Sequence, residues 1–157
     1  ELVDRVCSAH REACAPQRLQ LETGLTASIP TIQGDPFLLE IAVGNLLQNA
    51  IDFSPPAGRI RVCLDHRPEQ DSIELRIEDE GPGIPHYAAE RVFERFYSLA
   101  HPKTGRKSTG LGLCFVREAA ELHAGKVTLA KRADGKGAVA TLPLPLHPTG
   151  QRPPRVL

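Results

Sequence analysis

Gly34-Asp35-Pro36-Phe37-Leu38-Leu39-Glu40-Ile41-Ala42-Val43-Gly44-Asn45-Leu46-Leu47-Gln48-Asn49-Ala50-Ile51-Asp52-Phe53-Ser54-Pro55-Pro56 is the stretch on which the fold turns. Asp35 is a favourable N-cap and Pro36 suits a first helical position, while Pro55 and Pro56 forbid continuation beyond Ser54. The helix so bounded is apolar nearly all the way round, which predicts burial on more than one side. Asn45, Asn49 and Asp52 interrupt this, and their spacing of four and then three residues puts them on one stripe. Buried amides need partners. Neighbouring backbone is the simplest such partner, and this stretch alone does not choose between it and a ligand.

C-terminal to this helix, Gly58 to His66 and Ser72 to Glu78 each alternate apolar with polar residues, which predicts two half-buried strands joined in a hairpin by a polar loop. The second strand runs into Asp79-Glu80-Gly81-Pro82-Gly83-Ile84-Pro85, which reads as a turn. It also offers glycines where a flat ligand could approach the backbone, and a carboxylate able to accept from an amino group. Ala88 to Phe96 reads as a short helix, leading into Tyr97 and a polar, basic loop from Ser98 to Thr109. Gly110-Leu111-Gly112-Leu113 then opens a helix that extends to Ala124-Gly125. This is either a glycine-lined packing corner or a cradle of free N–H groups for phosphate. The glycine spacing around Lys107 excludes a Walker A loop. Lys126 to Lys131 and Ala138 to Leu146, joined by Ala133-Asp134-Gly135-Lys136-Gly137, predict a closing hairpin. From His147 on, the chain is proline-rich and reads as a frayed tail.

Toward the N-terminus, Leu2, Val3, Val6, Ala9, Ala13 and Cys14 recur at helical spacing until Pro16. Arg18 to Thr23 and Ser28 to Gln33 predict two short strands before the central helix. The length of 157 residues supports one domain, set at residues 1–146 with residues 147–157 as its tail. Nineteen basic residues balance nineteen acidic ones, so composition gives no support to nucleic-acid binding. Cys7, Cys14, Cys63 and Cys114 are scattered among apolar neighbours, which suits reduced core thiols rather than a disulfide or metal framework. No apolar run approaches the roughly 20 residues needed to cross a bilayer. With Glu1-Leu2-Val3-Asp4 at its start, the chain reads as an excised soluble piece.

In this order, the motifs resemble those of the catalytic ATP-binding domain of bacterial sensor histidine kinases, in the superfamily that includes the ATPase domains of gyrase and Hsp90. Asn45 to Ala50 is similar to that family's N box, Asp79 to Gly83 to its G1 box, Phe93-Glu94-Arg95-Phe96 to its F box and Gly110 to Leu113 to its G2 box. Gly135-Lys136-Gly137 is similar to a final glycine turn, and the resemblance runs from Leu2 to Leu146. It implies an α/β (α+β) two-layer sandwich of the Bergerat type, with a mixed, mostly antiparallel sheet covered on one face by helices.

The cofactors implied are ATP and Mg²⁺, with Asn49 as the metal ligand. Asp79 would take the adenine amino group, Gly81 and Gly83 would let the base approach the backbone, and Ile84 and Phe96 would also contact the nucleotide. Asn45 and Asp52 would lie near the phosphates, and Lys107, Ser108, Thr109, Gly110, Leu111, Gly112 and Leu113 would enclose them. Ser98 to Thr109 would be a lid over ATP, and catalytic roles fall to Asn45, Asn49, Arg106 and Lys107, with Lys103 as a weaker candidate on that lid. The implied reaction is γ-phosphoryl transfer to a histidine on a separate helical hairpin domain of the same kinase. A response regulator would be the downstream partner, and the full-length protein a membrane-bound homodimer whose cytoplasmic part includes this domain. His10 lacks the phosphoacceptor pattern and reads as a surface histidine.

Two positions depart from the family, Asp52 where a base is common and Ser98 where an arginine is common. A carboxylate facing a triphosphate is repelled unless metal or water intervenes, so Asp52 either points away or assists Mg²⁺ indirectly. The alternatives carried forward are an anti-sigma-type serine kinase of the same superfamily and a non-catalytic nucleotide-binding regulator.

Overall fold

A computed structural model describes residues 1–26, 28–101, 104–105 and 107–147. Its central helix, α2 (Pro36–Phe53), is the one expected: Asp35 Oδ1 accepts from the N–H groups of Phe37 and Leu38 at 2.9 and 3.1 Å, and Ser54 ends it in an extended conformation. Leu39, Ala42, Val43, Leu46, Leu47, Ala50 and Ile51 of α2 are buried because other elements pack on several sides of it. One of these is α1 (Leu2–Cys14), which buries Val3, Val6, Cys7 and Cys14. His10, expected at the surface, is half-buried, with its Nδ1–H donating to Val6 O at 2.8 Å.

Among the described residues the sheet has five strands, β1 (Gln20–Leu25), β2 (Arg59–Arg67), β3 (Ser72–Glu78), β4 (Thr128–Lys131) and β5 (Ala138–Pro145), in the order β1-β2-β3-β5-β4. Only β1 and β2 run parallel; the remaining pairs are antiparallel. Register places Val62 opposite Ile77, Ile77 opposite Ala140 and Ala140 opposite Leu129, a continuous apolar row across the face that the helices cover. The opposite face has Arg67 paired with Glu74 at 2.7 Å and Arg76 with Asp65 at 3.2 Å. These partly exposed pairs add little stability and mainly keep that face polar. The last layer element is α3 (Gly112–Leu122), packed against α2 and burying Cys114, Val116, Ala119 and Ala120.

Two expected elements do not form. Ser28 to Gln33 is not a strand: β1 already occupies the place beside β2, and Pro30 removes a ladder donor, although Ile29 and Ile32 pack on the core. Ala88 to Phe96 is not a helix but follows two separate 3₁₀ turns, His86–Ala88 and Arg91–Phe93. Glu94 is extended and Phe96 has φ of 63°, which breaks any continuous helical hydrogen bonding. All four cysteines are free, and burial pushes the thiols of Cys7, Cys14 and Cys63 above their ordinary pKa, which keeps them protonated and unreactive. The expected tail beyond His147 lies outside the described residues, as do Lys103 and Arg106.

Candidate functional site

α2, the loop after β3, the segment entering α3 and the β4–β5 end of the sheet enclose a cavity of about 340 Å³. That is the scale of a small-molecule site. Asp79 forms its floor and is 5 % exposed. Its N–H donates to Ala138 O at 3.0 Å, and its Oδ1 accepts from the N–H groups of Gly81 at 2.8 Å and Ala138 at 3.2 Å. Oδ2 has no hydrogen-bond partner among the described residues. One oxygen is therefore locked and the other is left as an acceptor. Burial raises the carboxyl above the usual carboxylate range, opposed by the two backbone N–H groups and by the Arg132 charge.

The polar stripe of α2 supplies the facing wall, where Asn45, Gln48, Asn49 and Asp52 all line the cavity. Asn45 Nδ2 donates to Gly112 O at 3.3 Å and so ties α2 to the start of α3. Asn49 makes no hydrogen bond among the described residues, which leaves its amide available to a ligand. Gln48 was not singled out in the sequence, although it stands three residues from Asn45 and four from Asp52 and shares their face. Its Nε2 donates to Asp52 Oδ1 at 2.8 Å. Asp52 thus lines the cavity with its Oδ1 held by Gln48.

The third wall comes from the entry to α3. Leu111 caps the helix without a side-chain hydrogen bond, so first-turn N–H groups have no side-chain cap and the positive end of the dipole lies at the cavity. Gly110 has φ of 71°, and a Cβ there would lie 2.6 Å from Phe96 C, so this glycine is required by close backbone approach. Ser108, Thr109, Gly110, Gly112 and Leu113 line the cavity together with Gly83 and Ile84.

Four expected residues are not brought to the wall. Phe96 is 77 % exposed, and its neighbour Tyr97 lines the cavity instead. Gly81 packs against Phe53, whose carbonyl oxygen a Cβ would strike, so it serves loop-to-helix packing. Leu111 and Lys107 are exposed. Phe53, Val92, Leu99, Leu129 and Ala138 complete the lining and were missed because an apolar residue lining a cavity has the same sequence signature as one in the core. Ser98 lines the cavity and donates from Oγ to Ser108 O at 3.2 Å, linking the two ends of the loop that follows Tyr97. Among the described residues no lysine or arginine lines the cavity, whereas Asp52 and Asp79 do.

Residues 34–148 match the family described as histidine kinase-, DNA gyrase B- and HSP90-like ATPase. The chain is 44 % identical over 146 residues to Sensor protein CreC of Escherichia coli (strain K12), covering 93 % of this chain and 30 % of that protein. It is 34 % identical over 135 residues to Sensor protein kinase PmrB of Pseudomonas aeruginosa, covering 85 % of this chain and 28 % of that protein. The chain therefore spans less than a third of the length of these relatives. Among solved structures, mycobacterial sensor histidine kinase MprB superposes with a TM-score of 0.79 at 32 % identity, covering 95 % of each chain. The chain belongs to the histidine kinase-, DNA gyrase B- and HSP90-like ATPase family, as an ATP-binding catalytic domain of the sensor histidine kinase type.

Proposed function

We propose that this domain binds Mg²⁺-ATP and positions its γ-phosphoryl group for transfer to a histidine on a separate helical hairpin domain of the same kinase. The observation that carries this reading is convergence: Asp79 Oδ2, the Asn49 amide and the start of α3 come from three parts of the chain and meet at one cavity. Asp79 would accept from the adenine amino group, and the first-turn N–H groups of α3 would take phosphate oxygens. The amide oxygen of Asn49 is a hard donor that fits Mg²⁺, a cation that keeps most of its ligands as water. Held there, the cation would supply positive charge against that of the phosphates. A wall with two carboxylates and no described cation makes that offset necessary, and Asp52 would act through the metal's water shell. Lys107, with Arg106 and Lys103, would supply positive charge toward the phosphates.

In the whole kinase, a response regulator would receive the phosphoryl group, and the protein would work as a membrane-bound homodimer with this domain on the cytoplasmic side. Among the described residues no helix is long and apolar enough to cross a membrane. The test mixes the chain with a separately produced hairpin domain and ATP labelled at the γ-phosphate. Acid-labile phosphohistidine is expected, and it should be lost with Asn49→Ala. Acid-stable phosphoserine would indicate a serine kinase instead. ATP binding without transfer would indicate a regulator, the reading that an acidic Asp52 on the wall favours.

A further inference from the structure

The turn between β4 and β5 reaches back to the floor of the cavity. Arg132 N donates to Gly137 O at 3.0 Å, closing the turn, and Gly137 has φ of 90°. A Cβ on Gly137 would strike the carbonyl oxygen of Asp79, so the turn presses directly on that peptide. From this turn the Arg132 guanidinium splits its donors. Nη1 donates to Asp79 O at 3.1 Å, and Nη2 pairs with Asp134 Oδ2 at 2.8 Å. The arginine side chain is 24 % exposed, more buried than most charged side chains of this chain that form ion pairs.

Each backbone group of Asp79 is thus engaged, its N–H by Ala138 and its carbonyl by Arg132, while Oδ1 is held by two further N–H groups. Fixing the peptide and one carboxylate oxygen fixes the direction of the other oxygen. A turn arginine paired only with its neighbour Asp134 would do none of this.

We propose that Arg132 is the positioning residue for base recognition: it clamps the Asp79 peptide and sets the field around the one carboxylate oxygen left to accept from an exocyclic amino group. This rests on the nucleotide-binding reading given above. The charge also opposes the upward push that burial exerts on the Asp79 carboxyl, so it favours the ionised form that an amino donor requires. Other ionisable groups at this end are Asp52 on α2, Glu80 beside Asp79, Lys131 and Asp134 flanking the arginine, and His101 against Phe53. Glu80 is turned away, accepting from Arg59 N at 2.9 Å. Arg132 is the charged side chain that both touches Asp79 and shifts it.

The experiment measures Mg²⁺-nucleotide affinity of the 157-residue chain between pH 5 and 8.5, with ATP and with purine riboside triphosphate, which lacks the 6-amino group. Wild type, Arg132→Gln and Arg132→Lys are compared. In wild type, ATP should bind more tightly than the analogue, and this preference should fade on acidification. Arg132→Gln should move that loss to higher pH and shrink the preference for ATP. Arg132→Lys, which keeps the charge, should restore the wild-type midpoint. Equal loss of both ligands at every pH, or no change in either, would overturn the role of Arg132 while leaving the nucleotide site standing. A wild-type chain that bound both triphosphates equally would overturn the assignment of Asp79 itself.

Discussion

The Asp79 carboxylate has opposite consequences for the fold and, under the proposed function, for the ligand. Its carboxyl is raised, first by burial, so its contribution to folding stability is fully present below the ordinary carboxylate range and is lost as pH rises through the elevated native value. At neutral pH the ionised group therefore weighs against the empty fold, while the same charge is what an amino donor needs. Asp79→Asn keeps an Oδ1 acceptor for Gly81 and Ala138 and removes the buried charge. The variant should melt at the same or a higher temperature than wild type at pH 7.5, with that advantage shrinking toward pH 4. Its ATP affinity should fall by roughly 1.5–3 kcal/mol, about ten- to a hundredfold, because an amide donor replaces a charged acceptor. A lower melting temperature at pH 7.5 would show that the carboxylate stabilises the fold. The places of Asp79, Asn45 and Asn49 on the cavity wall were legible because each is a polar residue where the local pattern calls for an apolar one or a bare turn. Arg132 and Gln48 were not, because a charged residue in a turn and a glutamine on a helix break no local rule.

At the level of elements, the entry to α3 separates two glycines that looked equivalent in Gly110-Leu111-Gly112-Leu113. Gly110 combines a positive φ of 71° with a Cβ position 2.6–2.8 Å from the Phe96 and Tyr97 backbone. Gly112 begins the helix, and a Cβ there meets nothing closer than Asn45 Cγ at 3.7 Å. Gly110→Ala should therefore destabilise the domain by about 1–3 kcal/mol or more, through left-handed strain and the forced separation of two segments. Gly112→Ala should be neutral or stabilising by about 0.4–1 kcal/mol, since the backbone there already suits alanine. Urea titrations of both variants check this, and equal losses would mean that the two glycines share one steric role. If phosphate sits at this helix start, Gly112→Ala should also weaken ATP binding in a fully folded protein. The helix bounded by Asp35 and Pro55 was legible to its ends because its caps are local chemistry. The segment from Ala88 to Phe96 was misread because its two 3₁₀ turns carry the same apolar spacing as one short helix.

Across the whole molecule, the pairing of β1 with β2 could not be read locally, since it joins segments separated by α2 and runs parallel in an otherwise antiparallel sheet. The family match begins at residue 34, yet α1 and β1 precede it and belong to the same core. Val3, Val6, Cys7, Cys14 and Leu19 are all buried, and β1 shields one edge of β2. Burying a side chain such as Val or Leu contributes about 1.5–3 kcal/mol. The two valines and Leu19 together thus represent roughly 5–9 kcal/mol, comparable to the whole stability of an ordinary domain. A chain reduced to residues 34–147 would keep every residue that lines the cavity and still lose the support beneath α2. It should lack a cooperative urea transition and should bind a hydrophobic dye such as ANS, whereas the full chain should unfold in one step. A shortened chain that unfolds cooperatively with ATP affinity intact would place the structural boundary at Gly34 and make α1 and β1 dispensable. Loss of cooperativity would make residues 1–33 part of the folding unit, with the cavity dependent on packing that begins at Leu2.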